Sequence, residues 1–141
     1  MTVGADGLPI IAYHSLLSNN NIRVLKCGAP KCGSNNEISV IATYSDLGTY
    51  ISITIGPDGF PVISSSAGQH GALAITKCGD ISCSNNKFTN LPSVSGTDVR
   101  STSITIGVDG LPIVSFYNYT EENLQVIKCA NPFCVSNWSR R

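Results

Sequence analysis

The chain has 141 residues, enough for one ordinary domain with its own buried core. Nine basic residues balance nine acidic ones and charged residues are only 13% of the total, so no basic surface for nucleic acid or an anionic membrane is expected. Its apolar runs fall far short of the roughly 20 residues that span a bilayer, and Met1-Thr2-Val3-Gly4 does not open a signal peptide in this chain.

The first predicted element is a tight turn, Ala5-Asp6-Gly7-Leu8-Pro9, whose Asp-Gly pair supplies left-handed backbone conformations. The same turn returns as Pro57-Asp58-Gly59-Phe60-Pro61 and Val108-Asp109-Gly110-Leu111-Pro112. Lys26-Cys27, Lys77-Cys78 and Lys128-Cys129 follow at intervals of 51, and Cys32, Cys83 and Cys134 keep the same spacing. A period near fifty residues marks a repeat architecture.

Each copy reads as four strands. The first is clearest in Ile51-Ser52-Ile53-Thr54-Ile55, which alternates apolar and small polar residues; the first copy begins inside this strand at Thr2. The Asp-Gly turn makes it a hairpin with a second strand, Leu111 to Tyr117 and its equivalents, apolar on both faces like a strand between two layers. Proline stands near the start of that strand, where a missing donor matters least. A loop follows at Ser15 to Asn21, Ser65 to Gly71 and Asn118 to Asn123. It alone varies in length, since Asp6 to Lys26 is 20 residues while Asp58 to Lys77 and Asp109 to Lys128 are 19. A loop that varies on a constant framework is the expected seat of function. The third strands are Ile22-x-Val24-x-Lys26, Leu73-x-Ile75-x-Lys77 and Leu124-x-Val126-x-Lys128, their lysines expected to keep an outer strand soluble. A weaker fourth strand is predicted over Ile38 to Thr43 and Phe88 to Val94, where Pro92 suits an outer edge.

Four short antiparallel strands per repeat, with inner strands covered on both faces, is what a β-propeller blade requires. The runs Gly-x-Asp-Gly-Leu-Pro-x-(Ile/Val)-(Ser/Ala)-(Tyr/Phe) and Leu-x-Val-x-Lys-Cys also resemble bacterial β-propeller arrays of near-identical repeats, over the whole chain. The resemblance implies an all-β fold of three four-stranded antiparallel blades, at about 1–46, 49–97 and 100–141 of a single repeat domain, and implies no activity. The turn does not match the Ser-x-Asp-x-Gly-x-x-Trp box of sialidases. Propellers usually carry four to eight blades, so two copies are expected to complete a six-bladed ring as a two-fold homodimer, unless the chain is a fragment of a longer array. A β-trefoil or β-prism monomer is the alternative for three repeats in a chain of this length. The trefoil's Gln-x-Trp signature is missing.

The cysteines are the only reactive residues that repeat. Cys27/Cys32, Cys78/Cys83 and Cys129/Cys134 each enclose four residues at the turn after the third strand. Disulfides there would pin the hairpins, each contributing about 2 kcal/mol in the chain-entropy model. They would place the protein in an oxidising compartment, secreted or periplasmic. The alternatives are a zinc site, disfavoured because each pair stands without a nearby histidine, and reduced structural thiols. No metal and no cofactor are expected.

Catalytic constellations are thin. Asp6, Asp58 and Asp109 read as turn formers. Glu121 and Glu122 are adjacent rather than paired across a cleft, and only Arg23 and Arg100 lie away from Arg140-Arg141. No Ser/His/Asp elbow or phosphate loop is present. Asn118-Tyr119-Thr120 and Asn137-Trp138-Ser139 match the N-glycosylation pattern. The remaining surface is a propeller face on which the loop after the second strand gathers Tyr13, His14, Gln69, His70, Tyr117, Asn118 and Tyr119, and the links between blades add Tyr44, Asp46, Tyr50, Asp98 and Arg100. Tyrosines and amides with few charges suit recognition of carbohydrate or protein. The first expectation is therefore a non-enzymatic interaction or scaffold module, and the second a lectin-like sugar binder. The third is a glycoside-processing enzyme using Glu121 or Asp98. Trp138 is expected near the seam between copies.

Overall fold

The computed structural model describes residues 1–16, 21–42, 49–67, 71–91, 98–135 and 137–140, with 42 and 137–140 as backbone alone. They form twelve strands and, among the described residues, no helix. β1 (Thr2–Val3), β2 (Pro9–Ser15), β3 (Asn21–Lys26) and β4 (Glu37–Ala42) make the first sheet. β5 (Ser52–Ile55), β6 (Pro61–Ala67), β7 (Ala72–Cys78) and β8 (Asn86–Asn90) make the second. β9 (Val99–Ile106), β10 (Pro112–Asn118), β11 (Asn123–Cys129) and β12 (Asn137–Arg140) make the third. Every sheet is an antiparallel meander in chain order.

One local device repeats in each first hairpin. The turn glycines Gly7, Gly59 and Gly110 have φ of 77°, 81° and 77°, the left-handed region closed to most side chains. The aspartate before each turns its Oδ1 onto the N–H of Leu8, Phe60 or Leu111 at 3.1, 3.2 and 3.3 Å. A Cβ on Gly4, Gly56 or Gly107 would stand 2.8–2.9 Å from that oxygen, which is why the motif opens on glycine. The other oxygen takes a lysine two strands on: Asp6–Lys26 at 2.7 Å, Asp58–Lys77 at 2.8 Å, and Asp109–Lys128. Lys26 and Lys77 also donate to the carbonyls of Cys27 and Cys78 at 2.8 Å. These lysines therefore do not decorate an outer strand as expected. The third strand is internal, and Lys26 and Lys77 lie buried in it with their charge neutralised.

The sheets stack in chain order, the second between the first and third. Ile10, Ile22 and Val24 meet Ile53, Ile63 and Ala74 in one apolar layer; Val62, Leu73 and Ile75 meet Val99, Val114 and Phe116 in the other. In the middle sheet β6 is buried at every residue, whereas β2 is mostly half-buried and β10 alternates. The expectation that second strands are covered on both faces thus holds only where a sheet lies on either side. The first strands of successive sheets lie against one another, β1 against β5 and β5 against β9. Ser64 Oγ donates to Thr102 Oγ1 at 3.0 Å and Thr102 Oγ1 to the Tyr50 carbonyl, while Ser52 Oγ accepts from Ile104 N–H at 3.2 Å. Among the described residues the three sheets do not close on themselves.

Sequence and structure part at strand ends. β4 starts one residue and β8 two residues before the expected fourth strands, and 92–94 lie outside the described residues. Ser65 and Ser66, expected in the loop, instead belong to the buried β6, which runs to Ala67.

Candidate functional site

All six cysteines form disulfides, Cys27–Cys32, Cys78–Cys83 and Cys129–Cys134, each across a short turn with Cα atoms 4.7–4.8 Å apart. The second cysteine of each pair is left-handed, at φ 51°, 60° and 56°, and its N–H closes the turn onto Ala29, Asp80 or Asn131. In the second copy Asp80 caps the loop. Partial burial raises its pKa, but the Asn85 N–H at 2.6 Å, the Ser84 and Ser82 hydroxyls at 2.9 Å and the Ser84 N–H at 3.0 Å outweigh that and lower it to about 2.

At the opposite end of the third sheet, the β10–β11 loop and the start of β9 converge. A bulge in β9 lies beside Ser101, whose φ is 51°, and shifts the register so that Arg100 stands opposite Tyr117. The Arg100 guanidinium lies 3.6 Å from the centroid of the Tyr119 ring and donates through Nε and Nη2 to Asp98 Oδ2 at 3.2 and 2.7 Å. The hydrogen bonds it donates to Asp98 hold the Arg100 pKa above its usual value. Tyr117 meets Tyr119 edge to face at 6.4 Å, and the backbone fixes both segments through Tyr119 N–H to Asp98 O at 2.8 Å. The result is a partly exposed platform of two phenols, a guanidinium and a carboxylate.

The expected site residues divide accordingly. Tyr117, Tyr119, Arg100 and Asp98 come together. Asn118 belongs to the same loop but is fully buried, with Oδ1 accepting from the N–H groups of Thr120 and Glu121 at 3.0 and 3.1 Å. It shapes the turn rather than presenting to a ligand, and the glycosylation pattern on it is sterically closed. Tyr13 and His14 sit on β2 of the first sheet, with the second sheet between them and the platform. Gln69, His70, Tyr44 and Asp46 lie outside the described residues. Glu121 accepts from Gln125 Nε2 at 2.9 Å.

A recess of about 300 Å³ lies between the second and third sheets at the disulfide end, lined by Asp58, Phe60, Lys77, Asn85, Lys87 and Phe133. Lys77 Nζ stands 5.4 Å from the Phe60 centroid and Lys87 Nζ 5.0 Å from that of Phe133. The signal for it was present in the sequence: Phe60 replaces the Leu8 and Leu111 of the other copies, and Phe133 the Lys31 and Ser82.

The fold carries this platform at one end of a stack of antiparallel sheets. No family model matches the chain, and no curated protein matches it in sequence. Among solved structures, the chain is similar in fold to a fucose lectin from Kordia zhangzhouensis in complex with methyl-fucoside. The TM-score is 0.58 at 11% identity, over 99% of this chain and 94% of that one.

Proposed function

We propose that the protein is a non-enzymatic carbohydrate-binding module of β-propeller type, with its sugar-facing surface at Asp98, Arg100, Tyr117 and Tyr119. The reading is carried by the Arg100–Tyr119 stack at 3.6 Å, held by Asp98. A sugar ring presents an apolar C–H face and a rim of hydroxyls. A tyrosine ring complements the first, and a guanidinium and carboxylate, fixed by each other, complement the second through charge-assisted hydrogen bonds. The shared fold with a fucose lectin supports the lectin-like reading over a scaffold that binds protein alone. A glycoside-processing role fits less well, because Asp98 is ion-paired to Arg100 and Glu121 is engaged by Gln125. The disulfides suit a secreted or periplasmic setting.

A glycan array, followed by calorimetric titration of the sugars it selects with methyl-fucoside included, tests this reading. Tyr119→Ala and Arg100→Ala are each expected to weaken binding at least about tenfold, the loss of one charge-assisted or stacking contact. Retention of a bound glycan's affinity in both variants would discard the site, and silence across the array would discard the sugar.

A further inference from the structure

We propose that the free face of the third sheet docks on the free face of the first sheet of a second copy of this chain, head to tail, so that two copies close one six-sheet ring. The inference rests on the propeller reading above and names the partner that completes it.

The repeats provide an internal comparison. Ile22 and Leu73 are fully buried but their equivalent Leu124 is 70% exposed; Val24 and Ile75 are fully buried but Val126 is 40% exposed. The lysine of the repeated ion pair is 8% exposed in the first sheet, 6% in the second and 47% in the third. Nothing in the sequence of the third copy accounts for this, since it keeps the same residue types and the same Asp109–Lys128 pair. The difference is that the following sheet covers the first two faces and no sheet covers the third. The other free face shows the converse. On the first sheet Val3 is 61% and Ile38 58% exposed, next to the partly buried Ile11 and Leu25. The positions equivalent to Ile11 are Ile63 and Val114, both fully buried against a preceding sheet. Each free face thus has the chemistry of one half of a junction that the chain already forms twice.

The disulfide loops follow the same rule. Ile81, in the second loop, lies 3.3 Å from where a Cβ on Gly4 would be, and Phe133, in the third, lines the recess over Asp58 and Lys77. Over Leu111, Ile113, Val126 and the Asp109–Lys128 pair the equivalent recess is open, with a volume of about 540 Å³. The loop that register places there is Cys27–Cys32 of the partner subunit, which brings Pro30 and Lys31 over Asp109. The number of copies follows from counting. Propellers close with about four to eight blades, and six is the one multiple of three in that range. A two-fold axis then makes both seams identical.

Light scattering on a size-exclusion column should give twice the 14.9 kDa chain mass. Val126→Asp on one face and Ile38→Asp on the other should each give the single-chain mass with the circular dichroism of the parent. An equimolar mixture of the two should recover a dimer fraction, because the mixed dimer keeps one seam with neither substitution. Carbodiimide cross-linking of the unsubstituted protein, an arm that does not depend on a variant folding, should join Lys31 to Asp109 between isotopically distinct copies. A single-chain mass for the parent, a ladder of higher masses, dissociation by only one of the two substitutions, or a cross-link confined to one copy would each overturn the docking. Tyr117 stands opposite Leu124 and Arg100, so the platform borders the docking face, and the two readings are separated by assaying glycan binding on the parent and on single-chain Val126→Asp. A parent that is a monomer and binds sugar removes only the docking, and a parent dimer that binds none, with single-chain Val126→Asp also silent, removes only the sugar.

Discussion

Thr76 is buried and its hydroxyl has no hydrogen-bond partner among the described residues. The other copies place Leu25 and Ile127 at this position. Thr76→Val keeps the shape and removes the desolvated hydroxyl, so it should stabilise the fold by about 1 kcal/mol and raise the thermal midpoint by roughly 4 °C. A lower midpoint in differential scanning calorimetry would show that the hydroxyl is satisfied after all. Asp80 acts in the opposite sense. Its folded pKa of about 2 lies below the ordinary 3.8, so between these values the unfolded chain binds more protons and stability increases with pH. The contribution is complete above about pH 4 and is lost as pH falls through 2. Discounted for its partial exposure it amounts to about 1 kcal/mol. Urea unfolding of the parent and of Asp80→Ala should therefore differ at pH 6 and converge near pH 2.

At the scale of the element, the repeated unit is a hairpin clamped by an ion pair. In Asp58→Ala the Lys77 ammonium would remain buried with the Cys78 carbonyl as its acceptor and the Phe60 ring beside it, and with no counter-charge from Asp58. Because Asp58 itself is about half exposed, the expected loss is about 2 kcal/mol, below the range for a fully buried pair. Asp109→Ala removes the same contact from a half-exposed Lys128, and in a single chain it should destabilise less. Chemical denaturation of the two variants side by side distinguishes them, and equal losses would mean that Lys128 is covered as Lys77 is. Both partners of this clamp were visible in the sequence as repeats, Asp-Gly and Lys-Cys. Their pairing was not, because it depends on β1, β2 and β3 lying side by side in one register. The cysteine pairing was legible, since five residues of separation bring two ends of one turn together.

The whole molecule is a stack whose two outer faces are unlike the four inner ones. That asymmetry explains why residues of one repeat position range from fully buried to mostly exposed, and it is the ground for the proposed ring closure. It also places the platform. Arg100 and Tyr119 are 19 residues apart in sequence and meet because β9 enters the sheet beside β10 with a bulge at Ser101. Tyr13 belongs to the same expected group of tyrosines but lies two sheets away, on the face assigned to the seam. By itself the sequence determined the strands, the Asp-Gly turns, the disulfide loops and the fifty-residue period, all set by side chains within a few residues of one another. Only the tertiary structure decided which faces are buried, which lysines lose their solvent and which tyrosine receives the arginine. Those depend on which sheet lies next to which, and a repeated sequence is the same on every layer of the stack.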